Sequence, residues 1–184
     1  MAGHSPANPD QSIQRETPMT ISKTMLQDPK VLWTDALLRF ADVDYYGHVS
    51  NRAFSEILEG GRIAFIARHI EPKITADLFV VIARLTIDFW NEFSFPGGAR
   101  TGTWLSKIGR TSATFDQAIL GDNGLVGAAT GVCVLVEKVS RRPTPFSDEL
   151  RQSLQSLCAP HYANKISVLA GQNGAERKKK IMVS

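Results

Sequence analysis

The sequence predicts an α+β fold, an antiparallel sheet wrapped around one long helix. Three observations predict it. The elements run strand, long helix, four strands in succession, short helix. The long helix carries apolar residues at Phe54, Ile57, Leu58, Gly61, Ala64 and Phe65, the i, i+3, i+4, i+7 spacing of one helical face. Ile63, Ile66 and Ile70 lie outside that face, so its later turns are apolar nearly all round and the helix is expected at the centre of the sheet.

The first strand is expected over Val31 to Ala41, alternating through Thr34, Ala36, Leu38 and Phe40. Ser50 is the expected N-cap of the long helix, its hydroxyl accepting from the second or third helical N–H. The helix ends near Ile70, before Pro72. Its opposite face carries Arg52, Ser55, Glu56 and Glu59. Paired Gly60-Gly61 in its middle costs about 1 kcal/mol per glycine. A close approach to another backbone is the usual compensation.

Phe79 to Phe89 alternates, with Val81, Ala83, Leu85, Ile87 and Phe89 on one face. Pro96-Gly97-Gly98 marks a turn. Strands follow at Ala99 to Ile108 and Ser112 to Leu120. Gly121-Asp-Asn-Gly124 is a hairpin turn, because these residues tolerate positive φ. The last strand is Leu125 to Lys138. Ser147 caps a second helix, with Asp148 and Glu149 in its first turn.

The chain has 184 residues, enough for one domain with a proper core. We divide it into a flexible N-terminal extension (1–29, with Pro6, Pro9, Pro18 and Pro29), the domain (30–160) and a C-terminal extension (161–184). The net charge of +3 resides in Glu176-Arg-Lys-Lys-Lys180, so the rest of the chain is formally neutral. A neutral body argues against nucleic-acid binding. The basic tail reads as a solvated end. No apolar run reaches membrane-spanning length, and the first thirty residues hold no apolar core of a signal peptide. Cys133 and Cys158 form no CxxC pair, and Cys133 sits in an apolar strand. A reducing cytoplasm is the expected compartment.

The chemistry concentrates where the first strand meets the long helix. The N–H of Asn51, first in that helix, has no intrahelical partner. It carries part of the positive end of the helix dipole. A carbonyl placed there is polarised, and a developing oxyanion is stabilised. Asp44 lies seven residues earlier on the entering loop. A polarising donor and a carboxylate facing one carbonyl are the minimum kit for adding water to an ester or thioester. By itself an aspartate in such a loop is more often a turn former.

The string Arg39-Phe40-x-Asp42-x-Asp44-x-x-Gly47-His48-Val49-x-Asn51 resembles the signature of the hot-dog-fold thioesterases, the 4-hydroxybenzoyl-CoA thioesterase-like group. The resemblance spans roughly Val31 to Leu157. It implies a hot-dog fold and hydrolysis of an acyl-CoA to a carboxylic acid and free thiol. Asp44 would be the catalytic nucleophile or general base, and the Asn51 N–H would polarise the carbonyl. Where many relatives read Gly-His-Val-Asn-Asn, this chain has Ser50 for the first Asn, and serine still caps a helix. The resemblance further implies a homodimer joined edge to edge, with active sites at the subunit interface. Tetramers are common among such proteins.

Gly47, Val49 and Tyr46 fall with the motif as substrate-lining candidates. His48 ranks beside them, as a loop residue hydrogen-bonding or packing at the helix start. Asp42 has the structural role. Glu59 could serve as a second carboxylate, since a related hot-dog group uses a helix glutamate, but its plainer reading is a salt bridge with Arg62 or Arg52. Arg110, Arg141 and Arg142 follow strands and suit coenzyme A phosphates through their planar fork of donors. An exposed loop cation is an equally good account of each. The depth of the acyl pocket depends on which of Phe54, Leu58, Phe79, Phe89 and Trp90 point inwards, partly from the partner subunit.

Other chemistries find little support. The chain has no Gly-x-Ser-x-Gly elbow and no Gly-x-x-x-x-Gly-Lys run. His4, His48, His69 and His161 show no metal-ligand spacing. Water and a polarised thioester suffice, so no cofactor or metal is expected. The rival readings keep the fold: an acyl-carrier-protein thioesterase, a hydroxyacyl dehydratase using His48, or a non-catalytic acyl-CoA binding module.

Overall fold

The computed structural model describes residues 21–162. A short helix α1 (Lys23–Gln27) precedes strand β1 (Leu32–Leu37) and the long helix α2 (Asn51–His69). Four strands follow, β2 (Leu78–Phe89), β3 (Gly98–Ile108), β4 (Ser112–Gly121) and β5 (Gly124–Glu137), and then helix α3 (Asp148–Ser156). All pairings are antiparallel, in the order β1-β3-β4-β5-β2. Helix α2 lies across β1, β3 and β4. This is the hot-dog fold, a sheet curled around one long helix.

Helix α2 begins where its cap dictates. Ser50 Oγ accepts from the Ala53 N–H at 3.3 Å, a bond that contributes about 1 kcal/mol. The helix buries Ala53, Phe54, Leu58, Gly61, Arg62 and Phe65 against the sheet. Full burial of each large apolar side chain stabilises by about 1.5–3 kcal/mol. Gly61 lets the helix come close: an added Cβ would stand 2.8 Å from Thr103 Oγ1 and 3.0 Å from Gln117 Nε2. The close neighbours are therefore side chains of β3 and β4 rather than a backbone. Gly60 has nothing within 4 Å of such a Cβ.

Three expectations are corrected. The first strand stops at Leu37, and Phe40–Asp42 forms a 3-10 turn that leaves Phe40 79% exposed. The Arg39–Asp42 capping interaction ends the alternation there. Strand β2 does not keep one parity. Ile82 pairs with Cys133 and Arg84 with Val132, so Ala83 is an extra residue in a bulge. Leu78 and Val80 thus pack beneath Phe65, whereas Leu85 and Ile87 pack beneath Phe54. The end of α2 is not covered all round either, since Ile63 is 57% exposed.

The sheet's other face is covered by the segments just before β1 and just after α3. Ile21, Met25, Val31, Ala159 and Tyr162 pack with Trp104, Ala118 and Ala128. Tyr162 Oη donates to Asp28 Oδ2 at 2.7 Å, which ties the two segments together. So residues 21–29 and 161–162, placed in the extensions from sequence, pack on the sheet; the remainder of both extensions, including the basic tail, lies outside the described residues. Cys133 and Cys158 are both free thiols, and burial pushes Cys133 up to about 11.

Candidate active site

The strand register fixes which loops meet. The ends of β1 and β2 and the hairpin between β4 and β5 share one end of the sheet. The loop after β1 is tied to that end. Leu38 N–H donates to Gly97 O at 3.3 Å, and Val49 N–H to Phe93 O at 2.9 Å.

Within the loop, Asp44 and His48 face each other across a tight reversal. Asp44 N–H donates to His48 O at 2.8 Å, and Gly47 N–H to Asp44 O at 3.1 Å. The reversal needs Gly47, whose φ is +82°, in the left-handed region. Asp44 Oδ1 accepts from the N–H groups of Tyr46 (2.8 Å) and His48 (3.1 Å). Asp44 is thus a turn former, as aspartates in loops tend to be. Yet only one carboxylate oxygen serves the turn; Oδ2 has no partner among the described residues.

Two residues beyond Val49 the chain enters α2. Ala53 N–H goes to Ser50 Oγ, and Phe54 N–H to Ser50 O at 3.0 Å. The Asn51 N–H meets no acceptor among the described residues. An oriented carboxylate and a free donor at a helix's positive end therefore belong to one loop-and-cap unit.

Asp42 holds that unit in place. It is 5% exposed, and Arg39 grips both its oxygens, with Nε at 3.1 Å and Nη2 at 2.8 Å. The Arg39 side chain and, next, its backbone N–H hold the Asp42 carboxyl below its ordinary value. Asp42 O accepts from the Ser50 N–H at 2.8 Å. The residue therefore links the entry turn to the helix cap.

The remaining candidates divide. Tyr46 is 79% exposed, edge-on to Tyr45. His48 Nε2 lies 3.5 Å from the exposed Glu92 carboxylate. Val49 is buried in the apolar cluster with Phe54 and Phe93, so its side chain supports the loop from beneath. Glu59 is exposed and has no ion pair among the described residues. The salt bridge expected of it does not form, because Arg52 pairs with Glu56 and Arg62 turns inward. Arg110, Arg141 and Arg142 stand at the opposite end of the sheet, in the loops after β3 and β5. Arg141 has φ +57° and lays its guanidinium 5.3 Å above the Phe79 ring. Of the pocket candidates, Phe54 and Leu58 are core, Trp90 lies with the outer-face cluster, and Phe89 is half exposed.

Sequence reading missed a buried polar network beneath α2. Arg62 is 5% exposed and donates to Gln117 Oε1 at 2.8 Å. Gln117 Nε2 donates to Leu58 O (2.8 Å) and Thr103 Oγ1 (2.9 Å). The signal was present, since position 62 stands four residues after Leu58 and three before Phe65, on the buried arc.

The model of the thioesterase-like superfamily matches residues 38–154 of this chain. No curated protein matches it. Solved structures share the fold. A predicted thioesterase from Bacillus stearothermophilus is 22% identical with a TM-score of 0.64, covering 70% of this chain and 97% of that one. A thioesterase from Thermus thermophilus, complexed with coenzyme A and Zn, is 24% identical with a TM-score of 0.60, covering 70% and 93%. The DHNA-CoA thioesterase of Staphylococcus aureus is 13% identical with a TM-score of 0.60, covering 77% and 94%.

Proposed function

The chain belongs to the thioesterase-like superfamily, which places it among thioester hydrolases, and we propose that it hydrolyses acyl-CoA with Asp44 as the reacting carboxylate. One observation carries this reading. Asp44 Oδ1 is anchored by two backbone N–H groups, which leaves Oδ2 without a partner among the described residues, in the loop that leads into α2. The carbonyl oxygen of the thioester sits on the Asn51 N–H. Oδ2 takes a proton from water as that water attacks, and the oxyanion forms against the helix N-terminus. Collapse breaks the C–S bond and releases coenzyme A as its thiol. Direct attack by Oδ2 would instead give a mixed anhydride that water opens. Opened by water at the Asp44 carbonyl carbon, the anhydride leaves ¹⁸O in Asp44 after a single turnover in ¹⁸O-water, a label that general-base attack never leaves there.

The site is completed by a second copy. The outer edge of β2 is unpaired among the described residues and carries Ile82 (47% exposed) and Phe89 (43% exposed). Helix α2 lies mainly over β1, β3 and β4 and reaches β2 only through side chains such as Phe54, which meets Phe89 edge-on. Antiparallel pairing of two β2 strands buries this edge. It also brings the start of the partner's β2 beside this chain's Phe89 and the 44–49 loop. Twelve residues of β2 span about 40 Å, so within one chain the three arginines are remote from Asp44. From the partner, Arg110, Arg141 and Arg142 can meet the phosphates of coenzyme A. Two free cysteines favour a reducing cytoplasm. Among the described residues no helix is long and apolar enough to cross a membrane.

The test is thiol release from a panel of acyl-CoA esters, wild type against Asp44→Asn, with the oligomeric state measured for both. No release from any ester refutes hydrolysis of acyl-CoA. Release that persists in the variant refutes the role of Asp44.

A further inference from the structure

A cleft runs along one flank of α2, between the helix and the edge strand β1. It encloses about 320 Å³, near the lower end of small-molecule pockets, roughly 300–1,000 Å³. Ala53, Ile57, Gly60 and Gly61 form its helix side, and Ala36 and Leu37 lie on its strand side. The helix residues share one face, so the cleft follows the helix axis. It begins at Ala53, two residues from Asn51, and reaches Gly61, about 12 Å further along.

Two features suit the cleft to a ligand. The first is Gly60. Gly61 is required by its contacts with Thr103 and Gln117, but nothing lies within 4 Å of a Cβ at Gly60, and its φ is not positive. A glycine inside a helix weakens that helix, and here no packing or backbone strain calls for one. What it does is leave the cleft open. The second is Leu37, which lines the cleft yet is 88% exposed. The charges along the cleft's rim pair off, because Arg39 and Arg52 together face Asp42 and Glu56, and Arg100 faces Asp35. That rim favours an uncharged chain over an anion or a cation.

We propose that this cleft receives the acyl chain of the thioester, and that Gly60 sets how long a straight chain it accepts. The inference rests on the hydrolase reading above and adds to it the substrate class, linear aliphatic acyl thioesters. The thioester carbonyl at Asn51 sends its chain past the Arg39–Glu56 rim and down the groove.

The experiment compares wild type, Gly60→Ala and Gly60→Leu on acetyl-, hexanoyl- and decanoyl-CoA. Wild type is expected to favour the longer esters. In Gly60→Leu the ratio of kcat/KM for decanoyl-CoA to that for acetyl-CoA falls about tenfold or more, and Gly60→Ala falls between. Equal losses on both esters, an unchanged ratio, or a wild type that accepts only the acetyl ester overturns the proposal. If wild type hydrolyses none of the esters, the hydrolase reading fails separately. The cleft is then judged by binding of the non-hydrolysable decanoyl-CoA thioether. Weaker binding by Gly60→Leu upholds it; equal affinity, or no binding to either protein, overturns it.

Discussion

Asp44 and His48 are joined twice: the Asp44 N–H donates to the His48 carbonyl at 2.8 Å, and the His48 N–H donates to Asp44 Oδ1 at 3.1 Å. The backbone of the loop thereby aims the carboxylate, and its anchoring oxygen is distinct from its free one. Asparagine and alanine at this position therefore have different consequences. Asp44→Asn keeps an oxygen for the Tyr46 and His48 N–H groups but loses the free carboxylate. Its thiol release should fall by about 10²–10⁴-fold, with the loop's amide hydrogen exchange unchanged. Asp44→Ala should lose activity to the same extent and also lose protection at Tyr46 and His48. Equal exchange in both variants would show that Asp44 does not hold the turn.

Asp42 separates from Asp44 by its pH response. Its carboxyl is held below the ordinary value by hydrogen bonds from the Arg39 side chain and backbone. A depressed folded value means that its stabilisation is full above the unfolded value, about 3.9, and is lost as pH falls through the folded one. Unfolding midpoints should thus drop more steeply below about pH 4 in wild type than in Asp42→Asn. At neutral pH the variant should be the less stable of the two. Parallel curves would show that the Arg39 contact contributes nothing to acid sensitivity.

The two adjacent glycines of α2 should respond with opposite signs. At Gly61 a methyl group would stand 2.8 Å from Thr103 Oγ1. Gly61→Ala must shift the helix or its neighbours, at a cost of about 1–3 kcal/mol. At Gly60 the same methyl group meets open space. Gly60→Ala should stabilise by about 1 kcal/mol through helix propensity alone. Urea unfolding of the two variants beside wild type measures both, and a shared sign would contradict the packing described.

What was legible in the sequence is whatever the chain encodes locally. Ser50 and Ser147 cap helices because their hydroxyls reach N–H groups three residues on, at 3.3 and 3.2 Å. The Gly121–Gly124 turn carries its positive φ at Gly124, as the residue type allows. The bulge at Ala83 was not legible, because it depends on which residues of β5 lie opposite. Nor was the inward turn of Arg62, whose partner Gln117 is 55 residues away. Asp44 shows the same divide. Its place in a turn follows from residue type, whereas the chemical role proposed for it rests on the resemblance to a family and not on spacing. Arg110, Arg141 and Arg142 suited phosphate by type, but their distance from Asp44 emerged only from the strand register.

The network beneath α2 provides the last prediction. Burial disfavours the charged form of Arg62, and its one side-chain acceptor among the described residues is Gln117. Gln117→Leu removes that acceptor and also frees Leu58 O and Thr103 Oγ1 from their shared donor. Leaving a buried cation without its partner costs about 3–5 kcal/mol. Arg62→Met takes away the cation itself and leaves Gln117 with its two donor bonds, so it should cost less. Combining the substitutions removes the stranded charge that makes Gln117→Leu severe. The double variant should then be more stable than Gln117→Leu alone, a coupling that a double-mutant cycle in urea resolves. Strict additivity would mean that the Arg62–Gln117 bond does not carry the network.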